Sequence, residues 1–388
     1  MRKIAVSLRG TARTPLQLSR RPPAPRFAKA APGVPSQAGR FLRLAVLAAI
    51  GVAAFGGTPR ACEANSAREA CDSTATSNLV EENDSFIDHH DKHYTQGLRV
   101  SFGSGEQTPG DLAYPWLRAV ADTVLLPAEA PGNLRYGLFF GQSLFTPENL
   151  FLRIPDPRDR PYAGWLYGGL TVYRETAAHL DRADLTLGLV GPGAGGEATQ
   201  NTWHRAAPLP EFRGSHANGW GSQLRDEPGL ILSEQRQWRF AGGLGPIEAD
   251  LLPEVNASLG NIFTYAAAGG LFRIGQGLRV DWGQPRVQPA LAGSDFINHR
   301  ALEGRWAAWY LFAGAEARAI ARNIFLDGNS FEHSASVSKH PVVVDLTGGI
   351  MAYVAFARLS VSYTRRTKEF VTQNSPDEFL SLTIAVSF

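Results

Sequence analysis

Apolar and small or polar side chains alternate strictly at the end of the chain. Leu380, Leu382, Ile384, Val386 and Phe388 occupy every second position. Alternation with period two predicts a β-strand with one apolar face. In a soluble sandwich that face points into a core, whereas in an outer-membrane barrel it faces lipid and the small face lines the lumen. A final Phe in phase with the apolar face favours the barrel and predicts recognition by the barrel-assembly machinery as a partner.

Similar strand-like segments recur along the chain. They cover residues 78–80, 98–102, 134–142, 162–173, 183–190, 238–240, 249–259, 265–274, 306–320, 342–354, 357–363 and 380–388. No apolar run of helical spanning length follows residue 64, so a closed barrel is the remaining membrane-spanning architecture. The sequence predicts an all-β, antiparallel transmembrane barrel of about twelve strands. A soluble β-sandwich is the alternative.

The first 64 residues have a different composition. Ten Lys or Arg and no acid precede residue 44, and residues 44–55 form an apolar run. That run is shorter than the ~20 residues that span a bilayer. We predict a signal peptide over 1–64, a linker over 65–77 and a barrel over 78–388, with an uncleaved signal anchor as the alternative. Cleavage near Ala61 would retain Cys62, which could then pair with Cys71 in an oxidising compartment.

Removal of the signal peptide reverses the charge of the protein. Residues 1–64 hold eleven Lys or Arg and one acid, Glu63. Residues 65–388 therefore have 27 basic and 35 acidic side chains, a formal net charge of −8. An acidic mature chain has no electrostatic footprint for nucleic acid, so we expect no such partner.

Three stretches lack the strand pattern: residues 106–132, 146–160 and 191–228. The first, rich in Pro and Ala, is predicted to be a long loop. The last begins with a Gly-rich run that lacks the GK[ST] ending of a phosphate loop. Helix formers follow it, with His204 on the last turn. We expect a short helix over the barrel mouth that brings His204 near other loop residues.

Polar side chains with catalytic chemistry flank the first predicted strand connection. The oxygens of Asn83 and Asp84 suit a hard cation such as Ca²⁺, and Thr95 follows on the next strand. A neutral His204 suits activation of water. A cation that polarises an ester carbonyl and a His that deprotonates water would form a minimal hydrolase. The sequence has no GxSxG motif, so a serine esterase is not favoured.

Several motifs in fixed order resemble the lipid A 3-O-deacylase family of outer-membrane barrels, the LpxR type, from residue 78 to residue 388. These motifs are Asn83-Asp84, Tyr94-Thr95-Gln96-Gly97-Leu98, Asp159-Arg160-Pro161-Tyr162-Ala163-Gly164, the Gly191–Gly196 run that leads to His204, Gly219-Trp220-Gly221-Ser222-Gln223-Leu224 and Glu227-Pro228-Gly229. The combination and its order are specific, whereas no single motif is.

The resemblance implies a twelve-stranded barrel in the outer membrane of a Gram-negative bacterium. Its site would lie at the extracellular end, between the wall and a loop helix. The implied reaction is Ca²⁺-dependent hydrolysis of the 3′-acyloxyacyl ester of lipid A, with lipopolysaccharide as the substrate. By position, His204 resembles the general base. Asn83, Asp84 and Thr95 resemble the catalytic polar wall, in which Asn83 and Asp84 hold the Ca²⁺.

The chain departs from the family pattern at some positions. Some family members have a Lys in the loop after the third strand. The matching segment of this chain, residues 150–153, has Arg153 instead, which is our candidate for substrate binding. In the family an acidic residue closely follows the His; in this chain Glu211 is the nearest candidate for that position, and we expect it to contact the substrate. Lys92 and His93 stand at family Arg and Tyr positions, and His89 and His90 are interpreted as loop residues rather than metal ligands.

Two other functions stay open. An outer-membrane phospholipase would hydrolyse a different lipid with the same set of groups. A non-catalytic barrel, either a pore or a structural protein, would have no need of Asn83, Asp84, Thr95 and His204 together.

Overall fold

The computed structural model describes residues 71–88, 91–128, 132–206, 216–302 and 304–388. The predicted signal peptide lies outside them. The strands are β1 Thr76–Asn83, β2 His93–Gly103, β3 Asn133–Thr146, β4 Ala163–Glu175, β5 His179–Val190, β6 Glu227–Trp238, β7 Phe240–Leu244, β8 Ile247–Gly260, β9 Phe263–Gln276, β10 Ala307–Asn323, β11 Val342–Val354, β12 Ala357–Arg366 and β13 Asp377–Ser387. The α-helices are α1 Ser85–Asp88, α2 Tyr114–Val124, α3 Gly196–Ala206 and α4 Ile324–Asp327.

The sheet closes on itself. β1 pairs antiparallel with both β2 and β13, and the remaining strands follow in chain order on either side. β6 completes the circle by pairing with β8, from Ile231 opposite Gly260 to Gln237 opposite Glu254. The short β7 extends the other end of β8 as a hairpin. Twelve strands therefore form the barrel, which confirms the predicted fold.

Two segments differ from the predicted pattern. Most of β6 was not recognised, because the second half of the strand carries polar side chains on both faces. Gln235 faces inward and bonds to Glu254, while Arg236 is paired with Asp181. The predicted loop over 106–132 contains helix α2, whose Pro115 lies in the first turn, where a missing N–H costs nothing. Flanking prolines concealed this helix.

The two faces of the barrel are reversed relative to a soluble protein. Large apolar side chains are exposed on the outer face of successive strands: Leu138, Phe140, Leu170, Leu185, Leu187, Leu230 and Leu232. Such a contiguous apolar band faces the hydrocarbon of a membrane. The polar residues that alternate with it lie inside.

Loop lengths orient the barrel in the membrane. Three of the four tight turns, those after β4, β7 and β11, lie at the end of the barrel where the chain ends, and the fourth, after β8, lies at the opposite end. The long connections that contain α3 and α4 lie at the opposite end. Since short turns are periplasmic and long loops extracellular in such barrels, the site described below is extracellular.

The connection between β9 and β10 folds back into the lumen over residues 277–302, which we call the plug. Asp295 of the plug accepts two hydrogen bonds from Arg99 of β2, at 2.6 and 2.8 Å, and one from Tyr173 of β4 at 2.9 Å. Asp281 binds the far wall, through Arg273 of β9 at 2.7 Å and Arg358 of β12 at 3.1 Å.

Because the plug bonds to opposite walls, it fills the width of the barrel. Irregular backbone is tolerated at this depth because it is buried in protein rather than in lipid. This packing disfavours the pore as a function.

No helix in the described part of the chain is long and apolar enough to cross a membrane. Cys71 is disulfide-bonded, and Cys62, the other cysteine of the chain, lies outside the described residues.

Candidate active site

Asn83 ends β1 on the outer face of the barrel. The side chain of its neighbour Glu82 points into the lumen, where it accepts a hydrogen bond from Arg286 of the plug at 2.5 Å. Successive side chains of a strand point to opposite faces, so Asn83 faces outward. The Asn83 Oδ1 accepts the N–H of Ser85 at 2.9 Å and also the Ser85 hydroxyl. These bonds hold Asn83 at the start of α1.

Thr95 lies in a β-bulge near the start of β2. The β2–β3 register shifts between Tyr94 and Gln96, so Thr95 has no ladder partner. A bulge redirects a side chain without ending the strand. The Thr95 hydroxyl lies 2.7 Å from that of Thr146. Leu144, two residues before Thr146, packs against a loop outside the barrel, so Thr146 belongs to the outer face.

The connection after α1 links Asp84 to His204. The Asp84 Oδ2 accepts the N–H of Lys92 at 2.7 Å, and the adjacent Asp91 carboxylate lies 2.5 Å from the His204 Nε2. All three side chains, Asp84, Asp91 and His204, are buried. His204 thus reaches the predicted polar cluster through Asp91 and Lys92.

Helix α3 provides a second hydrogen-bond partner for the Asp91 carboxylate. Gln200, one turn before His204, donates its Nε2 to Asp91 Oδ2 at 3.0 Å. Residues four apart lie on one face of a helix, so both side chains converge on Asp91. The Trp220 Nε1 in turn donates to the Gln200 Oε1 at 2.7 Å. This chain of bonds fixes the orientation of the His204 ring.

The Gly-rich run before α3 allows close packing against the wall. Gly191 and Gly195 have φ values of 109° and 71°, which favour glycine. The Gln142 side chain of β3 donates to the Ala194 carbonyl at 2.6 Å. A Cβ on Gly196 would lie 2.5 Å from the Trp220 ring and 3.1 Å from Leu144. The Gly-rich run therefore serves to pack α3 closely against the barrel wall.

Gly196→Ala is expected to lift α3 from the wall. Trp220 is buried and bonded to Gln200, so its ring cannot yield freely. Overpacking of this kind costs about 1–3 kcal/mol. We expect faster proteolysis within α3 and an altered near-UV circular dichroism spectrum. Gly221→Ala is the matched control, because nothing lies within 4 Å of a Cβ there. Equal behaviour of the two variants would contradict this account.

A second polar cluster lies next to the site. His93, at the start of β2, is buried with a left-handed φ of 59°. Its Nδ1 lies 2.5 Å from Asp377 and its Nε2 3.7 Å from Asp159. In the adjoining loop, burial acts to raise the pKa of Glu369, but the Arg160 and Arg366 guanidiniums outweigh it and hold that pKa below its usual range. His93 is therefore held between Asp377 and Asp159, whereas His204 is held by Asp91.

Of the other predicted site residues, the structure describes only Arg153, which does not join this cluster. Arg153 is exposed on the loop between β3 and β4, and Glu211 lies outside the described residues. Sequence reasoning missed Asp91 and Gln200. The available signals were a carboxylate in the same short connection as Asp84, and the four-residue spacing of Gln200 and His204.

The oxygen atoms of the cluster suit a hard cation, but the cluster has too few carboxylates or imidazoles close together to hold one by themselves. Asn83, Asp84 and Thr95 offer oxygen atoms, the donors that Ca²⁺ prefers. Among the described residues, no group of three or more His, Cys, Asp or Glu side chains could hold a metal ion. A cation here would thus need amide, hydroxyl, water or substrate oxygens in addition to carboxylates.

Fold and site define an outer-membrane β-barrel with a buried polar cluster on its outer wall, beneath an extracellular loop helix. The chain belongs to the LpxR family, since the family model described as "Outer membrane protein LpxR" matches residues 44–388. The structure is similar to LpxR from Salmonella typhimurium, with a TM-score of 0.62 and 18% identity over 80% of this chain and 99% of that one.

The beta domain of the Bordetella autotransporter BrkA aligns with a TM-score of 0.39 and 11% identity, over 82% of this chain and 100% of that one. No curated protein matches the chain. Family membership confirms the resemblance and the location in the outer membrane of a Gram-negative bacterium. The activity that the family supports is lipid A deacylation.

Proposed function

We propose that this protein hydrolyses the 3′-linked acyloxyacyl ester of lipid A, with His204 as the general base. The observation that carries the proposal is the buried Asp91–His204 pair, 2.5 Å apart, beside Asn83 and Asp84 on the outer wall. A site outside the lumen, above the lipid-facing band, suits a substrate that resides in the membrane. The plugged lumen plays no part in substrate entry.

Asp91 lies at the Nε2 of His204 and orients the imidazole ring. We assign to this imidazole the acceptance of a proton from water. The resulting hydroxide attacks the ester carbonyl, and the imidazolium is stabilised by Asp91. The proton then passes to the departing alkoxide, so that ester and water become a fatty acid and an alcohol.

We further propose that Asn83 and Asp84 hold Ca²⁺, with Thr95 orienting the water. When bound, Ca²⁺ would polarise the ester carbonyl and stabilise the charge that develops on its oxygen. Arg153 and Glu211 remain proposed substrate contacts. A guanidinium such as that of Arg153 suits an anionic group of the substrate.

Mass spectrometry of lipid A from cells that express the protein tests this function. We expect the loss of the 3′-acyloxyacyl group in the presence of Ca²⁺. Phospholipids from the same cells should be unchanged, whereas release of phospholipid acyl chains would favour the phospholipase. An unchanged lipid A profile, with a correctly inserted barrel, would exclude the deacylase.

Asp91→Asn is expected to lower kcat with little change in KM. A hydrogen bond to a charged group contributes about 1.5–3 kcal/mol, which corresponds to a loss of about 10- to 150-fold. Asn retains a carbonyl oxygen that can accept from Gln200, so α3 should stay in place. Rates on purified lipid A measure the effect, with Asp111→Asn at the periplasmic end as the control. A loss confined to KM would contradict the orienting role.

A further inference from the structure

Helix α2 lies across the outer wall at the periplasmic end of the barrel. Leu117, Ala121 and Leu125 pack on side chains from three adjacent strands: Leu134 of β3, Val172 of β4 and Ala183 of β5. The helix therefore runs across the strands rather than along them. An outer-wall helix in this position lies near the periplasmic boundary of the membrane.

The end of α2 is fastened to the wall. The carbonyl of Pro127 accepts a hydrogen bond from Arg236 of β6 at 2.9 Å, and the Leu126 carbonyl accepts from Arg236 at 3.0 Å and from Arg174. Both guanidiniums are bound to Asp181 at the same time. The helix is thus a fixed part of the barrel surface.

The two exposed flanks of α2 differ in polarity. Leu117 points at the wall, and each residue turns the helix by 100°, so Trp116 and Arg118 emerge on opposite flanks. Arg118 forms a 2.8 Å ion pair with Asp122 on the polar flank. On the other flank Trp116 is 46% exposed, and Leu112, just before the helix, is 98% exposed.

The wall beside α2 continues into the lipid-facing band. On the outer face, Leu170 is the next residue after Val172 toward the membrane centre, and Leu185 is the next after Ala183. Both leucines are exposed. Trp at the edge of an apolar surface is typical of the membrane interface, where its ring meets the headgroups. An amphipathic helix with this division of side chains lies in the interface plane.

We propose that α2 is an interfacial helix that binds the periplasmic leaflet of the outer membrane, with Trp116 and Leu112 inserted among phospholipids and Arg118 and Asp122 facing the periplasm. The occupant of this surface is lipid, and the role of the helix is to hold the barrel at a fixed depth. This inference is independent of the reaction that the barrel catalyses.

Site-specific fluorescence on the full-length barrel in phospholipid vesicles tests the proposal. Trp116→Cys and the matched control Asp122→Cys each carry an environment-sensitive probe; Cys71 is disulfide-bonded and is not labelled without reductant. The quenchers are iodide, present on both sides of the bilayer, and a nitroxide attached to the lipid near the headgroup. We expect several-fold weaker iodide quenching and stronger nitroxide quenching at 116 than at 122.

The heat-dependent shift of folded barrels on gels verifies insertion of each variant. Leu112→Cys repeats the measurement at a position that is almost fully exposed, so that a folding defect at 116 cannot hide the result. Equal iodide access at 116, 112 and 122 would overturn the proposal. Protection of 116 in native outer membranes but not in vesicles would assign the surface to another protein and would also overturn it.

Discussion

The variant His204→Ala is expected to lose lipid A deacylation while its barrel still assembles. General-base catalysis contributes about 10²- to 10⁴-fold to a rate, and within the described part of the chain His204 is the imidazole that contacts Asp91. The barrel is held by its strand ladders and plug, whereas His204 lies on the loop helix α3. Lipid A mass spectra from expressing cells and initial rates of the purified protein measure the effect.

His216→Ala is the matched control for His204→Ala. His216 is exposed on the same extracellular segment that follows α3, so its loss should leave the rate unchanged. The heat-dependent gel shift verifies that both variants are folded. A His204→Ala variant that retains more than a small fraction of the wild-type rate would show that another group activates water.

Asp84→Asn is expected to raise the Ca²⁺ concentration needed for activity and to lower the maximal rate. Changes to groups that only orient a metal ligand cost about 10- to 100-fold in affinity, so loss of a direct carboxylate should cost at least as much. Asn keeps an oxygen that can accept the Lys92 N–H, which preserves the fold of the β1–β2 connection. The measurement is the rate as a function of Ca²⁺ after chelation.

The control for Asp84→Asn is Asp156→Asn, which removes a negative charge from an exposed extracellular loop. Its Ca²⁺ dependence should match that of the wild type, because long-range attraction of the ion by loop charges is screened by salt. Wild-type protein treated with chelator should be inactive and should recover on addition of Ca²⁺. An Asp84→Asn variant with an unshifted Ca²⁺ dependence would remove Asp84 from the cation site.

Local patterns determined most of the fold. The alternation of side chains along a strand has a period of two residues, and it is visible wherever one face meets lipid and the other the lumen. The strand count and the terminal strand were predicted for this reason. The helix that carries His204 was also predicted, because helix formers follow a run of glycines. The pattern failed in β6, where both faces near the periplasmic end are polar.

Motif order in the sequence alone identified Asn83, Asp84, Thr95 and His204 as candidates and predicted the family. Only the tertiary structure brought Asp91 against His204, across 113 residues of sequence, and put Asn83 on the outer wall. Only it revealed the plug and the position of α2. Closure of the barrel decides which distant loops meet, and a single bulge decides how Thr95 is directed. Neither leaves a signature in local spacing, because both depend on register between strands.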